Sequence, residues 1–221
     1  MIELLGLLSG VLQVVGYAYY ISYALRGNNT PNPLTWFMFS YGTGLLFLLE
    51  YQQGASWQLL VLPGVCAACS IGVVFICLWR GGYSRTPDFI DGFVFGVDLL
   101  LTIVYGFIWA LQNSGAITDK AMESATMVII IAWNFGVFTA FTPMTRAVNK
   151  RPEEEQPRPW IVWSAAYALL VIATLMDEAP GYFLLYPVIN LFFHSLIAWM
   201  SWKRPSGADK EAVALLLRRP T

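Results

Sequence analysis

Charge is what this 221-residue sequence has least of. Asp, Glu, Lys and Arg make up 12% of it, against 57% hydrophobic residues, where a soluble domain carries about 25% charged residues. So few charges leave too little polar surface to coat a body in water, and lipid becomes the expected solvent. Histidine occurs once, at His194, which excludes a multi-histidine metal site and leaves only ligation of a pigment or haem by a single imidazole open. The three cysteines, Cys66, Cys69 and Cys77, fall in one apolar run without metal-ligand spacing. Their odd number in one segment argues for small helix-packing residues rather than a disulfide framework. The net charge of −1 gives no sign of a nucleic-acid partner. No GxSxG elbow, HExxH pair, P-loop or post-strand GxGxxG is present. Catalysis and a cofactor are therefore not expected. The start MIELLG lacks the basic region of a cleavable signal peptide.

Long apolar runs, by contrast, are abundant. Charge-free stretches near the 20 or so residues that cross a bilayer as helix occupy Leu4–Leu25, Pro33–Leu49, Trp57–Trp79, Gly92–Leu111, Ser124–Thr145, Trp160–Met176 and Tyr182–Trp202, and only the fourth holds an acid, Asp98. Backbone polar groups cannot go unpaired in hydrocarbon, so the runs are expected as helices. The fold class is all-α, a polytopic membrane protein of seven spans. Trp57, Trp79, Trp160, Trp199 and Trp202 lie near span ends, as interfacial anchors do.

Lysine and arginine are distributed unevenly between the loops. One side holds Arg26, Arg80, Arg85, Arg146, Lys150, Arg151, Arg158, Lys203, Arg204, Lys210, Arg218 and Arg219, and the other holds Lys120. The positive-inside rule makes the rich side cytoplasmic, with the N-terminus outside and the C-terminus in the cytoplasm. A prokaryotic inner membrane suits this asymmetry. On that side the glycosylation-like triplet Asn28-Asn29-Thr30 carries no meaning.

Shifting the chain by 124 residues reveals an internal repeat. Pro33 falls on Pro157, Trp36 on Trp160, Ser40 on Ser164, Pro63 on Pro187 and Arg80 on Arg204. Topology agrees, because a second three-span unit parallel to the first needs one extra span to return the chain. The organisation is a 3-1-3 parallel-repeat arrangement: 1–80 as the first three-helix repeat, 81–121 as a linker helix with its loops, 122–204 as the second repeat, and 205–221 as a cytoplasmic tail. Parallel repeats about an axis along the membrane normal are a known transporter plan.

With this plan, its N-out orientation and its prolines near cytoplasmic span ends, the chain resembles the SWEET and PQ-loop transporter superfamily over about residues 4–204. The segment TPNPLTWFMFSYGTGLL is most similar to bacterial relatives of it. The resemblance implies hinges at Pro33, Pro143 and Pro157, with Tyr19 at the fourth hinge position, where the family has proline. It also implies a binding asparagine, matched by Asn190 in the second unit and replaced by Cys66 in the first. The family's Pro-Gln pair is absent, and the regions where it stacks a substrate on tryptophan read Phe47-Leu48 and Val171-Ile172.

Several polar residues inside the spans have two readings. Ser40 and Ser164, each one turn after a tryptophan, either contact a polar substrate or satisfy backbone and allow close helix approach. Asn190 and His194, four residues apart, share one helix face and need a cavity or an interhelical partner, since an unpaired polar group in hydrocarbon costs several kcal/mol. Asn134 raises the same question. Asp98 serves either ion or proton coupling or a bond to the neighbouring helices. The leading expectation is a transporter that moves a small polar solute by alternating access between the two repeats. The alternative is a non-catalytic scaffold or accessory subunit of a larger membrane complex, contacting lipid or pigment. Expected partners are the lipid bilayer and a small-molecule substrate, together with a homo-oligomer or that larger complex.

Overall fold

A computed structural model describes residues 1–29, 31, 33–79 and 89–202. Arg80, Arg85, the tail from Lys203 onward and Thr30 of the Asn-Asn-Thr triplet lie outside them. So do the Arg80 and Arg204 match and seven of the twelve cations counted above.

All regular structure among the described residues is helical: α1 (Ile2–Leu25), α2 (Pro33–Gln52), α3 (Trp57–Trp79), α4 (Phe89–Asn113), α5 (Asp119–Ala140), α6 (Thr142–Lys150), α7 (Pro157–Met176) and α8 (Leu185–Trp202), with short 3-10 turns at Pro152–Glu154 and Gly181–Leu184. Six segments are long and apolar enough to cross a membrane, consistent with an integral membrane protein: α1, α3, Phe95–Asn113 of α4, α5 with α6, α7, and Gly181–Trp202. At 1.5 Å per residue the 24 residues of α1 extend roughly 36 Å, enough for a core of about 30 Å. α2 has the length but not the apolarity, because Thr35, Ser40, Tyr41, Thr43, Glu50 and Gln52 interrupt its hydrophobic residues.

Several helices start or end a few residues beyond the apolar runs, and two departures bear on the site. The stretch Ser124–Thr145 is not one helix: α5 ends at Ala140 and α6 begins at Thr142. Pro143 lacks the N–H that would continue the helical ladder and crowds the preceding turn. Thr142 and Thr145 donate their hydroxyls to the carbonyls of Phe138 and Phe141 there. α2 runs three residues past Leu49, which brings Glu50 into its last turn, 4% exposed. Hydropathy ends a span at an acid; burial of Glu50 within the protein does not require it to.

Helix bounds repeat with the 124-residue shift. α2, moved by it, falls on 157–176, the bounds of α7, and α3 falls on 181–203 against Gly181–Trp202 for the second 3-10 turn and α8. Packing repeats as well. α3 lies against α1 and α2, α8 lies against α5 and α7, and the two sets meet through α1 on α7 and α2 on α5. α4 rests on α5 and touches α2. The rest of its surface exposes Phe93, Leu100, Ile103 and Phe107, a face suited to lipid rather than water.

The interior divides into two clusters. One is aromatic, centred on Tyr17, Tyr20, Trp36, Phe141, Trp160, Trp163 and Phe193. The other is mainly aliphatic, with Leu45, Leu46, Leu49, Leu62, Ile130, Leu170 and Ala173 around Tyr167 and Tyr186. Close backbone approach makes the first possible. A Cβ at Gly16 would stand 2.3 Å from Trp163 Nε1, so only glycine lets that indole lie across α1.

Candidate functional site

A narrow cavity of about 20 Å³ lies in the aromatic cluster, lined from one set of helices by Tyr17, Trp36, Phe39, Thr43 and Cys66 and from the other by Phe141, Trp163, Tyr167, Asn190 and His194. The lining is paired across the 124-residue shift. Tyr17 corresponds to Phe141, Phe39 to Trp163, Thr43 to Tyr167 and Cys66 to Asn190. The remaining two also have mates at hand: Trp160, mate of Trp36, has its ring 5.2 Å from that of His194, and Ser70, mate of His194, is hydrogen-bonded to Tyr17. Each wall of the cavity is thus supplied once by each half of the chain.

Its polar groups are held in place from behind. The Tyr17 hydroxyl meets Ser70 Oγ at 2.6 Å and also reaches Cys66 Sγ at 3.2 Å. Tyr167 and Tyr186 share a hydroxyl contact of 3.0 Å. Asn190 donates Nδ2 to the Tyr186 carbonyl at 2.9 Å, which leaves its amide oxygen as the group to present. His194 Nδ1 lies 2.7 Å from the Asn190 carbonyl. A carbonyl only accepts, so the proton sits on Nδ1 and a neutral ring keeps Nε2 as an acceptor. Trp163 donates Nε1 to the Gln13 carbonyl at 3.1 Å, fixing the indole plane. None of the ten lining residues is an acid, lysine or arginine. The arrangement sets uncharged hydrogen-bonding groups between aromatic faces, around a space that holds little more than one water as it stands. The described residues contain no cluster of His, Cys, Asp and Glu fit for a metal ion.

Of the residues singled out in the sequence, Asn190 and His194 line the cavity together. Ser40 and Ser164 do not: Ser40 Oγ donates to the Ala67 carbonyl at 3.0 Å, and Ser164 Oγ donates to the Trp160 carbonyl at 2.8 Å while accepting from Ser195. Asn134 is fully buried in α5 and donates Nδ2 to the Ile130 carbonyl, with no hydrogen-bond partner on its Oδ1. Asp98 is 6% exposed, on the face of α4 where its carboxylate would touch a side chain at Gly136 of α5. Pro33 and Pro157 open α2 and α7, and Pro143 stands in the first turn of α6. Tyr19 is exposed and stacks on Tyr23.

The aromatic lining does not stand out in the sequence, where 15% aromatic residues hide any particular six. The repeat held the signal, since the shift that matches Cys66 to Asn190 also matches the other three pairs. No family model, no curated protein and no solved structure matches the chain.

Proposed function

We propose that the chain is a non-enzymatic transporter that moves a small, uncharged polar solute by alternating access between two three-helix units. α1–α3 form the first unit and α5–α8 the second, with α4 as the linker that keeps them parallel and α2 as the seventh span. The reading keeps the resemblance to the SWEET and PQ-loop superfamily, an external N-terminus, a cytoplasmic C-terminus and a prokaryotic inner membrane.

One observation carries it: the cavity lies where the two units meet, and equivalent positions of both line it. A site shared between repeats is what rocking of one repeat against the other needs, because the motion opens the same site to either side. At about 20 Å³ the closed cavity admits little more than one water, so a solute enters only as the units part. The uncharged lining disfavours anions and zwitterions, which would enter without a counter-charge. The test is uptake of radiolabelled sugars, polyols, amino acids and organic acids into proteoliposomes. Uptake of a neutral member, lost in Asn190→Ala, is the expected result, and no uptake of any member above empty liposomes counts against transport.

The exposed apolar surface of α4 favours a second reading, in which that helix docks the chain as a scaffold in a larger membrane complex. Under it, the protein purifies from mild detergent in stoichiometric company with other chains.

A further inference from the structure

The two units are joined by hydrogen bonds at both ends of the cavity, and the two junctions differ in chemistry. At the end carrying the α1–α2 and α6–α7 loops, Asn29 donates Nδ2 to Glu155 Oε1 at 2.9 Å and accepts the Gln156 backbone N–H on Oδ1 at 3.0 Å. Gln156 returns its side-chain amide to the Asn28 carbonyl. Asn29 and Glu155 are each 3% exposed although both belong to loops. At the opposite end, Ser56 donates to Asp177 at 2.8 Å and Tyr182 donates to Gln53 at 3.0 Å.

The first junction is tied to the cavity wall by a hydrogen bond. Glu155 Oε1 also accepts Trp160 Nε1 at 2.9 Å, and the Trp160 ring stands 5.2 Å from His194 and 5.1 Å from Trp163, both lining residues. One carboxylate oxygen thus ties the opposite loop to an indole in the wall behind the site. Pro33 and Pro157 follow Asn29 and Glu155 by four and two residues, so the joined segments are those in which α2 and α7 begin.

We propose that Asn29 and Glu155 form a gate that closes this end of the cavity, and that Trp160 couples the gate to the occupant of the cavity. The inference takes its purpose from the transport reading, but its test does not depend on any flux. Hydrogen bonds to a carboxylate are the strong kind, and they must break for the two loops to part. Solute pressing on His194 and Trp163 displaces Trp160 and so loads the Glu155 bond directly. The opposite junction has no such link among its described bonds and opens on its own terms.

Cys66 lines the cavity and supplies a native reporter. In full-length protein carrying Cys69→Ser and Cys77→Ser, purified in detergent, the rate of Cys66 alkylation by N-ethylmaleimide reads how often the cavity opens. Glu155→Ala and Asn29→Ala each raise that rate at least about tenfold, the factor set by about 1.4 kcal/mol. Glu155→Gln keeps an oxygen that accepts both donors but loses the charge, so its rate falls between that of the parent and that of Glu155→Ala. Should Glu155→Ala fail to fold, Asn29→Ala removes the same contact from the other loop. A control cysteine, Ala173→Cys, is placed in the aliphatic cluster of a protein without its native thiols. It stays slow when the gate is cut. Unchanged Cys66 rates in both alanine variants, or equal acceleration at the control cysteine, overturn the gate. Failure of the uptake assay with these rates as expected removes the transport reading and leaves the gate.

Discussion

Gly16 is where a single hydrogen atom decides the packing of the site. The α1 backbone passes so close to Trp163 that a Cβ would sit 2.3 Å from the indole nitrogen and 2.5 Å from Cδ1. The indole cannot retreat, because Tyr17, Tyr20 and Trp36 pack around it at centroid distances of 5.0, 5.6 and 5.9 Å. Gly16→Leu is therefore expected to destabilise by about 1–3 kcal/mol, the usual cost of overpacking, and to close the cavity. The check is a chemical-denaturation or melting comparison with Gly72→Leu, a helical position with no neighbour within 4 Å of a built Cβ. An equal change in both would mean that helix propensity, not the indole, sets the cost. At this scale the sequence was partly legible. Asn190 and His194 announce themselves as polar atoms in an apolar run. Ser40 and Ser164 announced themselves equally, yet a hydroxyl within a helix has carbonyls within reach and turns to them. Which serine does so depends on what stands opposite, and that is a tertiary fact.

At the scale of elements, counting charges located the helices well because hydrocarbon excludes charge, and that rule is nearly local. It faltered where burial inside the protein substitutes for burial in lipid. Glu50 prolongs α2, and Pro143 splits a run that hydropathy reads as continuous. α2 is the element on which topology turns. It lacks the apolarity of the other long helices, but Trp36, Leu46 and Leu49 are buried against its neighbours, so much of its surface faces protein rather than lipid. On the proposed plan α2 crosses, giving seven spans and termini on opposite sides. A fluorescent reporter active only in the cytoplasm should light when fused to the C-terminus and stay dark at the N-terminus, while a periplasm-dependent phosphatase gives the reverse. Termini on the same side would mean that α2 lies within the bundle without crossing, and the parallel repeat would fall with it.

In the molecule as a whole, one correspondence recurs at every level. The same 124-residue shift relates prolines in the sequence, helix bounds in the fold, helix neighbours in the packing and opposite walls of the cavity. Nine identities in 55 residues, over 26–80, made the repeat faint in the sequence, because a membrane interior accepts many apolar side chains at one position while constraining volume and placement. Phe39 and Trp163, or Tyr17 and Phe141, share a place without sharing an identity. The central claim is that this shared place holds a small neutral solute. Its most direct test is a thermal-shift screen of the detergent-purified protein against sugars, polyols, amino acids and small organic acids, run in parallel on Asn190→Ala and His194→Ala. A ligand present at a hundred times its dissociation constant adds about 2.7 kcal/mol to the folded state. A neutral polar compound is expected to raise the melting temperature of the parent and of neither variant. A shift that persists in both variants, or one produced only by charged compounds, would contradict it.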